Sequence, residues 1–139
     1  LGFAFKANTN DTRESAAISI CEELLIEGAK LSIFDERVSY KQIKNDLKGC
    51  QDSNNNSFQE GSWTFNKDIL EITLNADAII VLTESEIFKS LDWAEISKNM
   101  RSPSWLFDTR GIVNIKEAIK NNINVWSVGS GDLFKNNIY

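Results

Sequence analysis

Leu1-Gly2-Phe3-Ala4-Phe5-Lys6, followed closely by Asn8-Thr9-Asn10-Asp11-Thr12-Arg13-Glu14-Ser15, opens the chain. An apolar run stops at a lysine, a polar loop follows, and a helix start comes next. Leu1 to Phe5 reads as a buried strand. Asp11 or Thr12 is a suitable N-cap, and Glu14 stands three residues after Asp11, as in a capping box. In an α/β sheet this layout puts Lys6 and the loop at the carboxyl end of a strand, facing a helix N-terminus. Open parallel sheets bind ligands at that edge, and a helix N-terminus there favours anions.

The alternation continues along the chain. Ala17, Ile18, Cys21, Leu24 and Leu25 recur at helical spacing, and Gly28 supplies the stop. Lys30 to Phe34 reads as a strand ending at Asp35, and Tyr40 to Leu47 as a short helix. The polar segment 49–61, without periodicity, reads as a mobile surface loop. Asp68 to Leu74 reads as a helix, Ala76 to Leu82 as a fully buried strand, and Glu86 to Met100 as helix in two pieces. After the break at Pro103 come a strand, Ser104 to Asp108, a helix, Ile115 to Asn121, and a last strand, Asn124 to Val128. Gly129-Ser130-Gly131 then opens a tail. The pattern predicts an α/β fold, a Rossmann-like three-layer sandwich around one mostly parallel sheet of about five or six strands.

The 139 residues, 42% hydrophobic and 25% charged, suit one domain with one core. A net charge of −5 argues against nucleic-acid partners and anionic membrane surfaces. No apolar run approaches the roughly 20 residues of a membrane span. Residue 1 is Leu, and the strand begins at once, so the sequence reads as a piece of a longer protein starting at a domain edge. There is no histidine, so no Ser-His or Cys-His catalytic pair can form within the chain. Cys21 falls in an apolar helical pattern and Cys50 in a polar loop. Two thiols in a reducing cytosol are expected rather than a disulfide framework. Neither cysteine has the surroundings of a catalytic thiolate, and no metal-ligand spacing is present.

Lys6 with Asn8, Thr9, Asn10, Thr12 and Arg13 is the strongest candidate site. Lys6 as a point charge and Arg13 as a fork suit a diphosphate. The competing reading leaves Lys6 solvated and pairs Arg13 with Glu14 or Asp11. Asp108-Thr109-Arg110-Gly111 follows a strand, so Arg110 falls on the same sheet edge; its competing reading is a surface pair with Asp108. Asp35 holds the position at which a dinucleotide fold binds a ribose, but the first turn lacks G-x-G-x-x-G, which favours a strand-end cap instead. Thr83-Glu84 is either a rim pair or a helix cap. Trp63, Trp93, Trp105 and Trp126 are scattered and read as core or interface rather than a base-stacking platform.

Several strings stand in order and at matching spacing: Leu1-Gly2-Phe3-Ala4-Phe5-Lys6, Asp11-Thr12-Arg13-Glu14-Ser15, Glu27-Gly28-Ala29, Ile33-Phe34-Asp35, Ala76-Asp77-Ala78, Leu82-Thr83-Glu84 and Phe107-Asp108-x-Arg110. Together, from residue 1 to about residue 130, they resemble the C-terminal, UDP-binding domain of UDP-glucose 6-dehydrogenases, in the UDP-glucose/GDP-mannose dehydrogenase superfamily. The resemblance implies that residues 1–139 are that domain of an NAD-dependent enzyme oxidising UDP-glucose to UDP-glucuronate. It implies a cytoplasmic homo-oligomer in full length, with NAD bound mainly by an N-terminal domain and the chemistry carried outside this chain, which alone is inactive. It assigns Phe5, Lys6 and Arg110 to the nucleotide sugar and Arg13 to NAD, with no catalytic residue and no metal. Ala16, Ser85, Thr109 and the loop Ala7-Asn8-Thr9-Asn10 depart from the family's usual proline, tryptophan, glycine and Lys-Asp-Thr-Gly, which leaves another nucleotide sugar, UDP-N-acetylmannosamine or GDP-mannose, as the alternative substrate. A non-enzymatic nucleotide-binding module is the rival from another class.

Overall fold

In the computed structural model, residues 1–48 and 61–133 are described. The expected loop 49–61 lies outside them except for Gly61, and so does Cys50. Five helices, α1 (Ala16–Ile26), α2 (Tyr40–Asp46), α3 (Ile69–Thr73), α4 (Trp93–Asn99) and α5 (Ile115–Lys120), alternate with strands β1 (Lys30–Ile33), β2 (Ser62–Phe65), β3 (Ala78–Val81), β4 (Trp105–Asp108) and β5 (Asn124–Ser127). A 3₁₀ turn spans Glu86–Ser90, and β6 (Gly131–Leu133) closes the order. Among the described residues no helix is long and apolar enough to cross a membrane.

The α/β class is as expected, but the sheet is divided. β1 and β2 pair in parallel, and β3, β4 and β5 pair in parallel with β6 antiparallel on the edge. The larger sheet therefore has four strands, not five or six. Leu1 to Phe3 lies between the two. Gly2 N–H donates to Phe34 O at 2.8 Å, and Leu82 N–H donates to Leu1 O at 2.9 Å. These bonds give the spatial order β2, β1, residues 1–3, β3, β4, β5, β6. Leu1 to Phe5 is thus a much shorter central segment than predicted. It bends from Ala4 onward, and Phe5 is 52% exposed.

That order reverses at the centre. The chain leaves the central segment through α1 toward β1 and β2, then crosses back to β3 on the other side. Right-handed crossovers running in opposite directions put α1 and α2 on one face and α3, α4 and α5 on the other. Two apolar clusters match this. One joins Phe3, Ala17, Cys21, Leu25, Ile33, Ile43 and Leu47; the other joins Phe34, Val81, Trp93, Ile96, Leu106, Ile119 and Val125. The reversal point, between the central segment and β3, is where such sheets open a crevice at their carboxyl edge.

Three local expectations change. The first helix starts at Ser15, not Asp11 or Thr12: Ser15 Oγ accepts from Ala17 N–H and donates to Phe3 O. Glu14 has φ 59°, which no helix accommodates, so the Asp11/Glu14 capping box cannot form. The helix ends as predicted at Gly28, whose φ of 84° permits a Schellman motif with Gly28 N–H on Leu25 O and Ala29 N–H on Leu24 O. Ser62–Phe65, unassigned in the sequence reading, is a strand beside β1. The expected tail after Gly129 instead turns back, so that Trp126 pairs with Asp132 in register.

Candidate functional site

The carboxyl edge is assembled from buried polar ties. Asp35, 5% exposed, lies two residues past the end of β1. Its Oδ2 accepts from Phe3 N–H at 2.8 Å and Ala4 N–H at 3.0 Å, and its Oδ1 accepts from Arg37 N–H at 2.8 Å and Val38 N–H at 2.9 Å. Burial would raise its pKa, but the four N–H donors outweigh burial and hold the carboxyl below its usual range. Every strong acceptor direction of Asp35 therefore serves the backbone. The carboxylate is the strand-end clamp that the missing glycine fingerprint favoured.

On the other side of the central segment, Thr83 is 3% exposed and donates from Oγ1 to Ala4 O at 2.8 Å. It is neither a rim group nor a helix cap. The close approach requires glycine at residue 2: φ is +83°, and an added Cβ would lie 2.5 Å from Thr83 Cβ. The chain emerging from this double clamp presents Phe5 and Lys6, both exposed; Lys6 makes no ion pair among the described residues.

Arg110 joins the same edge from β4. Asp108 is fully buried and does not pair with the guanidinium. Its Oδ1 accepts from Arg110 N–H at 3.1 Å and Gly111 N–H at 2.9 Å, and its Oδ2 accepts from Val113 N–H at 3.1 Å. That carboxylate shapes the turn, and Gly111, at φ 67°, completes it. Arg110 Nε donates to Leu82 O at 2.8 Å, one residue before Thr83. A continuous run of bonds thus links two of the three sequence-predicted cations: Lys6 lies two residues past Ala4, Ala4 is tied to Thr83, and Leu82 holds Arg110. Among the described residues only Nε of Arg110 is used, which leaves its two amino groups for a further acceptor.

Arg13 stands apart. Its guanidinium binds Asp11 through both ends, Nε to Oδ1 at 2.9 Å and NH2 to Oδ2 at 2.6 Å, with an Arg13 side chain 87% exposed. The arginine's hydrogen bonds lower the Asp11 pKa to about 2. The pairing that competed with anion binding is thus present. Asp11 O also accepts from Phe5 N–H at 2.8 Å, so this pair folds the 5–11 loop back onto the site. The N-terminus of α1 is more withdrawn than the sequence suggested, because Ser15 caps it and packs against Phe3.

The chain's own turn does not fit a dinucleotide. It lacks the glycine fingerprint, and the Asp35 carboxylate has no capacity left for a ribose. A cleft of about 880 Å³ is lined by Leu1, Phe3, Lys30, Ala78, Leu82 and Arg101 among others. Its lining omits Phe5, Lys6, Arg13 and Arg110. Among the described residues no group of three or more acidic or cysteine side chains could hold a metal ion.

Comparison with known proteins adds independent findings. Residues 1–115 match the UDP-glucose/GDP-mannose dehydrogenase family, UDP binding domain, a span containing all four candidate residues. UDP-glucose 6-dehydrogenase 4 of Arabidopsis thaliana is 39% identical, the match covering 93% of this chain and 28% of the relative. UDP-glucose 6-dehydrogenase of Gallus gallus is 41% identical, over 82% of this chain and 23% of the relative. The NDP-N-acetyl-D-galactosaminuronic acid dehydrogenase of Methanosarcina mazei Go1 superposes with a TM-score of 0.71 over 94% of this chain and 24% of that one, at 21% identity, which shows a shared fold. The chain spans little more than a quarter of the length of the Arabidopsis relative.

Proposed function

The chain belongs to the UDP-glucose/GDP-mannose dehydrogenase family, as its UDP-binding domain, and from that premise we propose that it supplies half of the nucleotide-sugar pocket of an NAD-dependent UDP-glucose 6-dehydrogenase. Its contribution is binding and positioning. Lys6 offers a mobile point charge to the diphosphate, and Arg110 offers a planar donor pair already oriented by Leu82 O. Phe5, half exposed at the same edge, offers an apolar surface beside them. The bond run from Ala4 through Thr83 and Leu82 to Arg110 is the observation that carries this reading. It joins the two cations at the point where an open α/β sheet receives ligands.

NAD is held mainly outside residues 1–139 in this reading, since the chain's own strand-turn does not fit it. Arg13 is the one group here directed to the cofactor, and it would have to exchange its Asp11 partner to reach it. The bonds that are broken and formed in the oxidation are likewise assigned elsewhere in the enzyme.

Titration of the chain with UDP and UDP-glucose, beside a Lys6→Ala, Arg110→Ala double variant, tests the pocket. Uridine-selective binding that disappears in the folded double variant is the expected result. Equal binding by both proteins overturns the assignment of these two cations.

A further inference from the structure

Lys67, two residues past the end of β2, belongs to none of the groups assigned to ligand binding. Its ammonium has three protons and meets three carbonyl oxygens: Asp35 O at 2.6 Å, Glu36 O at 2.8 Å and Val38 O at 3.2 Å. Its charge also stands 5.2 Å from the centre of the Phe65 ring. All three acceptors belong to the 35–38 turn, whose N–H groups at Arg37 and Val38 are taken by the Asp35 carboxylate. One cation thus gathers the turn's carbonyls while one anion gathers its amides.

That turn reaches both sides of the crevice. Asp35 fixes Phe3 and Ala4, from which Phe5 and Lys6 project. Glu36 Oε2 accepts from Ser85 Oγ, on the loop that also supplies Thr83 to Ala4 O and Leu82 O to Arg110. We propose that Lys67 is a positioning residue for the nucleotide-sugar site: by organising the 35–38 turn it sets the separation of Lys6 and Arg110 along that edge without touching the ligand. The inference rests on the nucleotide-sugar reading above. An ammonium suits the task because three donors converge from one atom.

The test uses the complete enzyme that carries this chain, with KM measured separately for UDP-glucose and NAD in Lys67→Met. This variant keeps the apolar stem and removes the charge. Misplacing a binding group by a fraction of an ångström is costly, so the UDP-glucose KM is expected to rise about tenfold with NAD KM unchanged. In Lys67→Ala, n-propylammonium should restore part of the loss by refilling the carbonyl cage, which a purely packing defect would not allow. Should Lys67→Met fail to fold, Lys67→Arg carries the same test; its planar fork cannot aim three donors from one point, and about a threefold rise is expected. A folded variant with an unchanged UDP-glucose KM, where Lys6→Ala raises it, overturns the proposal. An unchanged KM in Lys6→Ala itself overturns the nucleotide-sugar reading instead.

Discussion

Replacing Asp35 by Asn removes charge while keeping shape. The carboxylate accepts four backbone N–H groups, two on each oxygen, at 2.8 to 3.0 Å. An amide has one oxygen, so two of the four donors lose their acceptor and face an NH₂ group. Hydrogen bonds to a charged acceptor contribute about 1.5 to 3 kcal/mol each, and buried donors left unpaired are costly. A loss of about 3 to 5 kcal/mol is expected, a large part of the roughly 5 to 15 kcal/mol of a typical domain. Urea unfolding at pH 7, followed by far-ultraviolet circular dichroism, measures it directly. The pH dependence checks the cause. Because the folded carboxyl titrates below its unfolded value of about 3.9, its stabilisation is complete above that value. It is lost as the pH falls through the lower, folded one, since the unfolded state takes up the proton first. Below about pH 4 the wild type should therefore lose stability more steeply than Asp35→Asn. A variant within about 0.5 kcal/mol of wild type at pH 7, the ordinary scatter of surface changes, would refute the clamp.

Gly2→Ala forces a Cβ to 2.5 Å from Thr83 at a φ of +83°, so a loss of about 2 kcal/mol or more is expected in the same unfolding assay. Ser15→Ala removes the cap of α1 and a bond to Phe3 O, and should cost about 1 to 2 kcal/mol. Arg13→Ala breaks an exposed pair and should leave the urea midpoint within the ordinary scatter of surface changes; a clear loss of stability would make the arginine a structural strut rather than a group available to NAD. The purified chain with UDP-glucose and NAD should form no NADH, and sustained absorbance at 340 nm (the NADH band) would contradict a purely positioning role.

Much of the architecture was legible because apolar periodicity reports burial. Ile79 and Val81 face one core, and the run around them predicted a strand in a covered sheet. Ser62–Phe65 escaped because four residues beside a long polar stretch carry little pattern; the alternation of Trp63 and Phe65 with Ser62 and Thr64 was the available signal. The helix start failed for a conformational reason. Asp11 and Glu14 have the spelling of a capping box, but Asp11 engages Arg13 and Glu14 adopts a left-handed backbone. Lys6 and Arg110 could be placed on one edge from topology alone. The ties that set them there could not, since Thr83 to Ala4 spans 79 positions.

The same contrast separates the residues that present charge from those that hold the frame. Lys6, Arg13 and Arg110 are exposed, while Asp35, Thr83 and Asp108 are buried and spend their acceptors and donors on backbone. Asp35 and Asp108 each have a physical reason to be an acid. Three or four N–H groups converge on each, from turns that could not otherwise satisfy them. An aspartate at the end of a parallel strand is therefore ambiguous on sequence alone between ribose acceptor and turn clamp. Here the four backbone N–H groups on the Asp35 oxygens resolve it. In the reading proposed above, the carboxylate beside β1 serves backbone amides instead of a ribose, and the ligand edge lies toward β3 and β4, where Arg110 stands.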